Sequence, residues 1–323
     1  MNLSNRFATL VKFFLGISLV AIVSVAHAFT PPPEKQDIII VGDRAADLAI
    51  HLGVMPVAMS IRASSWPEAA KLKNASQMLG CPNFVTTKKK ETIPNAIKKF
   101  GVKHLIVEKS AQFCLMKKKV KPENVLSLVE GLDITVDVID FSDGVEDAID
   151  QMGKVLKKEE KAAELKASYA KKMAKAEAFV NKNKARASGK KVVVLNGVVM
   201  KGKGKGFLRV EAPGFYSDSL FLDAIGMENV SSILIGDKEI DKGHLTIRKL
   251  DKLVEAQPDI IILTGDSLPF QQALAKGLKK NPALAKVPAI RDYEIYTLPA
   301  SIGSSVITYP DTLTTWAKTL TKL

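Results

Sequence analysis

Leu250-Asp-Lys-Leu-Val-Glu-Ala-Gln-Pro-Asp-Ile-Ile-Ile-Leu-Thr-Gly265 is the stretch on which the fold turns. Its first half reads as a helix that closes before Pro258, a residue that cannot continue one. Its second half, Ile260 to Leu263, is apolar at every position, as in a strand covered on both faces. The strand stops at a Thr264-Gly265-Asp266 turn, a place for a ligand to sit. A helix feeding such a strand is one unit of a parallel α/β sheet.

Units of the same kind recur on both sides. Upstream, Asp37 to Val41 reads as a strand, then Gly42-Asp43-Arg44 turns into a helix from Ala45 to Leu52 that Gly53 ends. Val57 to Ile61 is a second strand, Arg62 to Trp66 follows it, and Pro67 opens another helix. A helix from Ile93 to Phe100, a strand from Leu105 to Val107, a helix from Glu123 to Glu130 and a strand from Thr135 to Ile139 complete the first set. Around the quoted stretch the second set runs Lys191 to Leu195 (strand), Ser217 to Ile225 (helix, ended by Gly226), Leu245 to Ala256 (helix), Asp259 to Leu263 (strand), Gln271 to Leu278 (helix), Glu294 to Leu298 (strand) and Thr312 to Leu320 (helix). Strands alternating with helices imply parallel pairing and right-handed crossovers.

Between the sets the pattern is helix alone. Asp143 and Glu146 have capping-box spacing, and Val145, Ala148, Ile149, Met152 and Leu156 share one face. Beyond a polar break at Lys157 to Lys161, Leu165, Tyr169, Met173, Ala176 and Val180 form a single apolar stripe. A helix from Ala162 to Lys182 would span about 30 Å, enough to act as a strut between two lobes.

At the start, Arg6 and Lys12 precede an apolar run from Phe13 to Val25, and Ala26-His27-Ala28 supplies a cleavage site, so residues 1–28 read as an export signal. The run is short for a spanning helix, which needs about 20 apolar residues. Removing it takes away Arg6 and Lys12 and lowers the net charge from +13 to +11. Such a balance favours anionic ligands or surfaces. The basic runs Lys88-Lys89-Lys90 and Lys117-Lys118-Lys119 carry no interleaved aromatics, which argues against nucleic acid. The expected organisation is a signal (1–28), a first α/β lobe (29–142), connecting helices (143–187) and a second α/β lobe (188–323).

In open α/β sheets a ligand sits beyond the carboxyl ends of the strands. The residues expected there are Arg44, Arg62, Trp66 and Ser110 from the first lobe and Met200, Arg209, Phe215, Tyr216, Asp266 and Ser301 from the second. Arg62 and Arg209 are the foremost candidates, because a guanidinium grips an oxyanion in two places. Trp66, Phe215 and Tyr216 fit either aromatic walls or core packing, and Tyr216 is also a candidate iron ligand. Three histidines, His51, His104 and His244, remain in the mature chain without a metal-site spacing, so no resident metal or cofactor is expected. Gly202-Lys-Gly-Lys-Gly206 runs into Phe207-Leu208-Arg209-Val210 rather than a helix, and reads as a flexible hairpin at a cleft rim rather than a dinucleotide loop. Cys81 and Cys114 are the only cysteines; an export compartment permits a disulfide between them, and two unpaired thiols fit as well. No Gly-x-Ser-x-Gly elbow or His-Glu-x-x-His helix is present, so a binding protein is expected rather than an enzyme.

Gly42 to Gly53, Phe141 to Tyr169, Ala212 to Val230 and Leu250 to Leu263, in this order, resemble the class III, helical-backbone periplasmic binding proteins of ABC importers. The resemblance covers nearly all of the mature chain. It implies two Rossmann-like α/β lobes with parallel sheets joined by one long backbone helix, in a monomer that carries a metal chelate to an inner-membrane permease. The net positive charge points to an anionic ferric siderophore; haem, cobalamin, oxyanions and metal ions belong to the same group of ligands. Members usually present a surface Glu on each lobe to the permease. Here those places hold Asn95 or Ala96, and Leu220 with Asp218 nearby, while Lys103-His104 replaces the usual Pro-Asp. That departure leaves open a sensor module that docks no permease and, further off, an exported enzyme on the same scaffold.

Overall fold

Five strands form the first sheet: β1 (Glu34–Val41), β2 (Val54–Ser60), β3 (Gln77–Met78), β4 (His104–Lys109) and β5 (Thr135–Asp140). Their order is β3-β2-β1-β4-β5, and every pairing is parallel. The computed structural model describes residues 32–63, 69–110, 121–199, 206–241, 243–300 and 305–322. The export signal therefore lies outside the described residues. Among those described, no helix is long and apolar enough to cross a membrane.

Alternation along the strands assigns each side chain to a face. Ile38, Ile40, Met59 and Ile106 pack on one side against α1 (Asp43–His51), α3 (Val145–Leu156) and the first half of α4 (Glu159–Asn183). Ile39, Val41, Leu105 and Val107 pack on the other, against Ile93 and Ile97 of α2 (Thr92–Phe100) and against Val125 and Val129. Both faces are covered, which is why these strands read as unbroken apolar runs.

The second sheet contains β6 (Lys191–Val199), β7 (Gly206–Glu211), β8 (Glu228–Asn229), β9 (His244–Ile247), β10 (Ile260–Gly265) and β11 (Ile295–Thr297), in the order β11-β10-β6-β7-β9, with β8 on β6. Its β11, β10, β6 and β8 pair in parallel and repeat the winding of the first sheet. The β7 edge is antiparallel to both β6 and β9. This corrects one expectation: Leu245 begins no helix; it lies in β9, and only Leu253–Ala256 is helical. The stretch after the glycine run is strand β7, which pairs with β6 from Val199 and Gly206 inward in line with the expected hairpin, and its Leu208 and Val210 reach the core beside Val193 and Leu195.

Helix α4 is 25 residues long, about 37 Å at 1.5 Å per residue. Leu165, Tyr169 and Met173 meet the first core, and Met173, Ala176 and Val180 meet the core of the second lobe around Phe221 and Trp316. One apolar stripe thus serves both lobes. A second connection runs the other way: Val306 and Ile307 pack on the first core before α6 (Tyr309–Leu320) returns to the second. Buried Asp47 of α1 holds this segment, accepting from Ser305 Oγ at 2.7 Å and Val306 N at 2.8 Å. The Asp143–Glu146 capping box does not form: Gly144 caps α3 with φ of 100° and no side-chain hydrogen bond.

Candidate functional site

In the first sheet the strand order reverses between β1 and β4, so a crevice opens at their carboxyl ends. The chain fills it with its own acid. Glu108, fully buried on β4, accepts from Arg44 N at 2.8 Å, from Ala45 N at 3.4 Å and from Ser110 Oγ at 2.5 Å. The amino terminus of α1, where an anion would otherwise bind, is occupied by this carboxyl group. Gly42 makes the approach possible: with φ of 127°, a Cβ there would lie 2.2 Å from Glu108 Cβ. Burial pushes the Glu108 carboxyl up to about 7, against the opposing pull of the Arg44 charge.

Three candidates of this lobe, Arg44, Arg62 and Ser110, lie among the described residues, and Arg44 N and Ser110 Oγ contact that carboxyl group directly. Arg62 donates from N and Nε to the two oxygens of Asp43, at 2.7 and 2.6 Å. The Arg44 guanidinium lies over the Phe141 ring, 5.8 Å from its centre. Ser110 is buried and committed to Glu108. Lys109 pairs with Asp140 at 2.6 Å, which holds that acid at about 2.

In the second sheet the matching reversal lies between β6 and β10. Here backbone closes the crevice: Asp266 N donates to Gly197 O at 3.0 Å, and a Cβ on Gly197 would lie 1.7 Å from Asp266 O. Asp266 is exposed, and its Oδ1 accepts from Leu268 N at the start of α5 (Leu268–Lys280). Asn196 Nδ2 donates to Thr264 Oγ1 across the two strands at 3.1 Å.

Register places the remaining candidates. Arg209 lies opposite Asn196, near the carboxyl end of β6, with its guanidinium 5.1 Å from the Phe207 ring centre. Phe215 and Tyr216 follow the opposite end of β7, where Val210 pairs with Leu195. An antiparallel strand carries its own carboxyl end away from those of its parallel neighbours, so these two aromatics are not at the level of Arg209. Phe215 packs on Gly243, and buried Tyr216 stacks on His244 with ring centres 5.4 Å apart. Trp66, Met200, Ser301 and Cys114 lie outside the described residues, as do residues 202–205 of the glycine run. Cys81 is a free, half-buried thiol.

Sequence reasoning placed Glu108-Lys109-Ser110 at a strand end but missed the role of Glu108 as an internal acid, and it missed Glu211 and the environment of His244. Glu211, buried on β7, accepts from Ser217 N at 2.5 Å and Ser217 Oγ at 3.2 Å, with His244 Nε2 3.7 Å away. Burial pushes it, too, up to about 7. The available signal was an acid closing an apolar strand, in Leu-Ile-Val-Glu108 and in Leu-Arg-Val-Glu211. Asp218, near one expected docking position, is also buried and accepts from Gly214 N and Asn229 Nδ2, so it does not serve as a surface acid. Asn95 is exposed and Ala96 is buried. Among the described residues no three His, Cys, Asp or Glu side chains are grouped to hold a metal ion.

Two wound α/β lobes on one helical backbone are the architecture of a class of solute-binding protein. The chain belongs to the periplasmic binding protein family, whose model matches residues 125–302. It is similar in fold to a periplasmic heme binding protein from Pseudomonas aeruginosa, at 19% identity over 89% of this chain and 93% of that one, with a TM-score of 0.56. The apo heme-binding protein RhuT from Roseiflexus sp. RS-1 matches at 15% identity over 90% and 99%, with a TM-score of 0.55. The triscatecholate siderophore binding protein FeuA from Bacillus subtilis, complexed with ferri-bacillibactin, matches at 18% identity over 88% and 92%, with a TM-score of 0.51. No curated protein matches the chain. The family and these neighbours are binding proteins rather than enzymes.

Proposed function

We propose that this protein works in the periplasm, captures an anionic metal chelate, foremost a ferric siderophore, between the carboxyl ends of its two sheets, and passes it to an inner-membrane ABC permease. The observation that carries the reading is that each sheet has an arginine at the carboxyl ends of its parallel strands. Arg62 follows β2, and Arg209 lies on β7 opposite Asn196. Arg44 and Asp266 lie at the same ends. A guanidinium recognises carboxylate, catecholate or hydroxamate oxygens bidentately and remains charged at any relevant pH. The backbone supports a capture role with modest closure, since α4 joins the two cores as one uninterrupted helix and the segment at Val306 ties them a second time.

A thermal-unfolding panel of residues 29–323 with ferric siderophores, haem, cobalamin and molybdate tests the proposal. A ligand at about 100 times its dissociation constant adds roughly 2.7 kcal/mol of stability. A shift with a ferric siderophore is the expected result; a shift with haem or cobalamin alone reassigns the chelate, and none with any of them defeats the reading.

A further inference from the structure

The second lobe carries a pocket that the chelate reading does not use. It has a volume of about 390 Å³, within the range of small-molecule sites. Register fixes its position: Ile247, on its wall, pairs with Leu208, which pairs with Gly197, so the pocket opens at the carboxyl edge of the sheet, outboard of Arg209. Its floor is firm, since Leu234 and Ile247 both belong to the core of this lobe.

The charge of its lining is one-sided. Lys238, Arg248, Lys249 and Lys252 face a single acid, Asp251. Asp251 Oδ1 already accepts from Asn281 Nδ2 at 3.4 Å, and Lys252 Nζ is steadied by the Ile233 carbonyl at 3.0 Å. Gly236 leaves space for that lysine: a Cβ there would lie 3.0 Å from Lys252 Nζ. Among the described residues no ion pair neutralises Lys238, Arg248 or Lys249, and the acids flanking Lys238 in sequence, Asp237 and Glu239, are not part of the lining. Four cations drawn around one concavity repel one another unless an anion joins them.

We propose that this pocket is a second binding site, for a small multivalent oxyanion of the phosphate or polycarboxylate type. Arg248 supplies the bidentate fork and the three lysines act as point charges around it. The site is complete within one lobe, so it needs neither lobe closure nor a bound chelate.

The test is titration calorimetry of the full mature chain with inorganic phosphate, pyrophosphate and citrate at constant ionic strength, beside co-sedimentation with phosphatidylglycerol vesicles. Wild type is expected to bind pyrophosphate or citrate, and the double variant Arg248→Gln/Lys249→Gln to bind at least tenfold more weakly. Asp251→Asn provides a second variant, expected to bind at least as tightly as wild type. Capture by vesicles alone, lost in the double variant, assigns the same chemistry to a lipid headgroup. Equal behaviour of wild type and the double variant in both assays overturns the proposal.

Discussion

The two lobes are wound alike but close their crevices differently. In the first, a side chain fills the switch point: Glu108 caps the amides that open α1. In the second, backbone meets backbone, Gly197 against Asp266, and the buried acid moves to the antiparallel edge as Glu211. Sheet order alone therefore does not decide whether a crevice offers amides to a ligand. The first lobe has used its own; the second presents Arg209 and a basic pocket at its edge instead.

The largest effect expected from breaking this contrast is at the glycines. Gly197→Ala drives a Cβ to 1.7 Å from the Asp266 carbonyl oxygen, which cannot rotate away, whereas Gly42→Ala meets the Cβ of Glu108 at 2.2 Å, fixed by its own backbone, and adds strain at φ of 127°. Losses of roughly 3 kcal/mol or more are expected for both, with Gly197→Ala the worse. Gly101→Ala is the control: φ is 63° but no atom lies within 4 Å, so strain alone should cost about 1 kcal/mol. Urea unfolding of the three variants measures this, and a Gly197→Ala protein as stable as the Gly101→Ala protein would deny the backbone closure.

Next in size is the pH dependence of the two buried acids. For Glu108 and Glu211 burial raises the carboxyl from 4.5 in the unfolded chain to about 7 in the folded one. The folded state then binds protons that the unfolded state has released, so the stability these two acids contribute is fully present below pH 4.5 and is lost as the pH rises through 7. At about 1.4 kcal/mol per pKa unit the loss approaches roughly 3 kcal/mol for each acid. Glu108→Gln mimics the protonated acid, keeping an oxygen for the α1 amides and an NH2 for Ser110 Oγ. It should flatten the fall between pH 5 and 8. Glu211→Gln should do so less, because His244 sits beside that carboxyl group. Thermal unfolding against pH reads both, and a Glu108→Gln protein that keeps the wild-type slope would mean the amides hold this acid ionised throughout.

The wound sheets, the long helix and its stripe were legible because each rests on local periodicity: apolar runs for doubly covered strands, and Leu165 to Val180 for a helix that meets two cores. The β7–β9 edge was not. Its alternation, Phe207-Leu-Arg-Val-Glu211 and His244-Leu-Thr-Ile247, is short, and Leu245 to Ala256 also carries apolar residues at helical spacing. Only pairing with β6 decides between them. That one missed antiparallel edge misplaced Phe215 and Tyr216, since the direction of a strand determines which end of the sheet its following residues reach. Glu108 was hidden for a related reason: the acid was visible in sequence, but its partners at Arg44 and Ala45 lie more than sixty residues away.

The smallest effect on stability, and the sharpest on function, separates the two arginines. Arg62 is tied to Asp43, which is itself largely buried, so Arg62→Ala strands that acid and should cost roughly 2 kcal/mol. Arg209 touches the Phe207 ring, and Arg209→Ala should cost about 0.5 kcal/mol. Their effects on binding should run the other way. Arg62 holds an internal carboxylate and has less of its fork to offer, whereas Arg209 has no acid directly opposite it, facing Asn196 on one side and Thr246 on the other. Arg209→Ala is therefore expected to weaken an anionic chelate about tenfold, the effect of losing one charge-assisted contact, and Arg62→Ala to weaken it less. Fluorescence titration with the responding ligand, compared with urea midpoints of the same proteins, separates the two scales. A loss of affinity that follows the loss of stability in both variants would place neither arginine on the ligand, and would leave the edge pocket as the main anion-attracting feature of the second lobe.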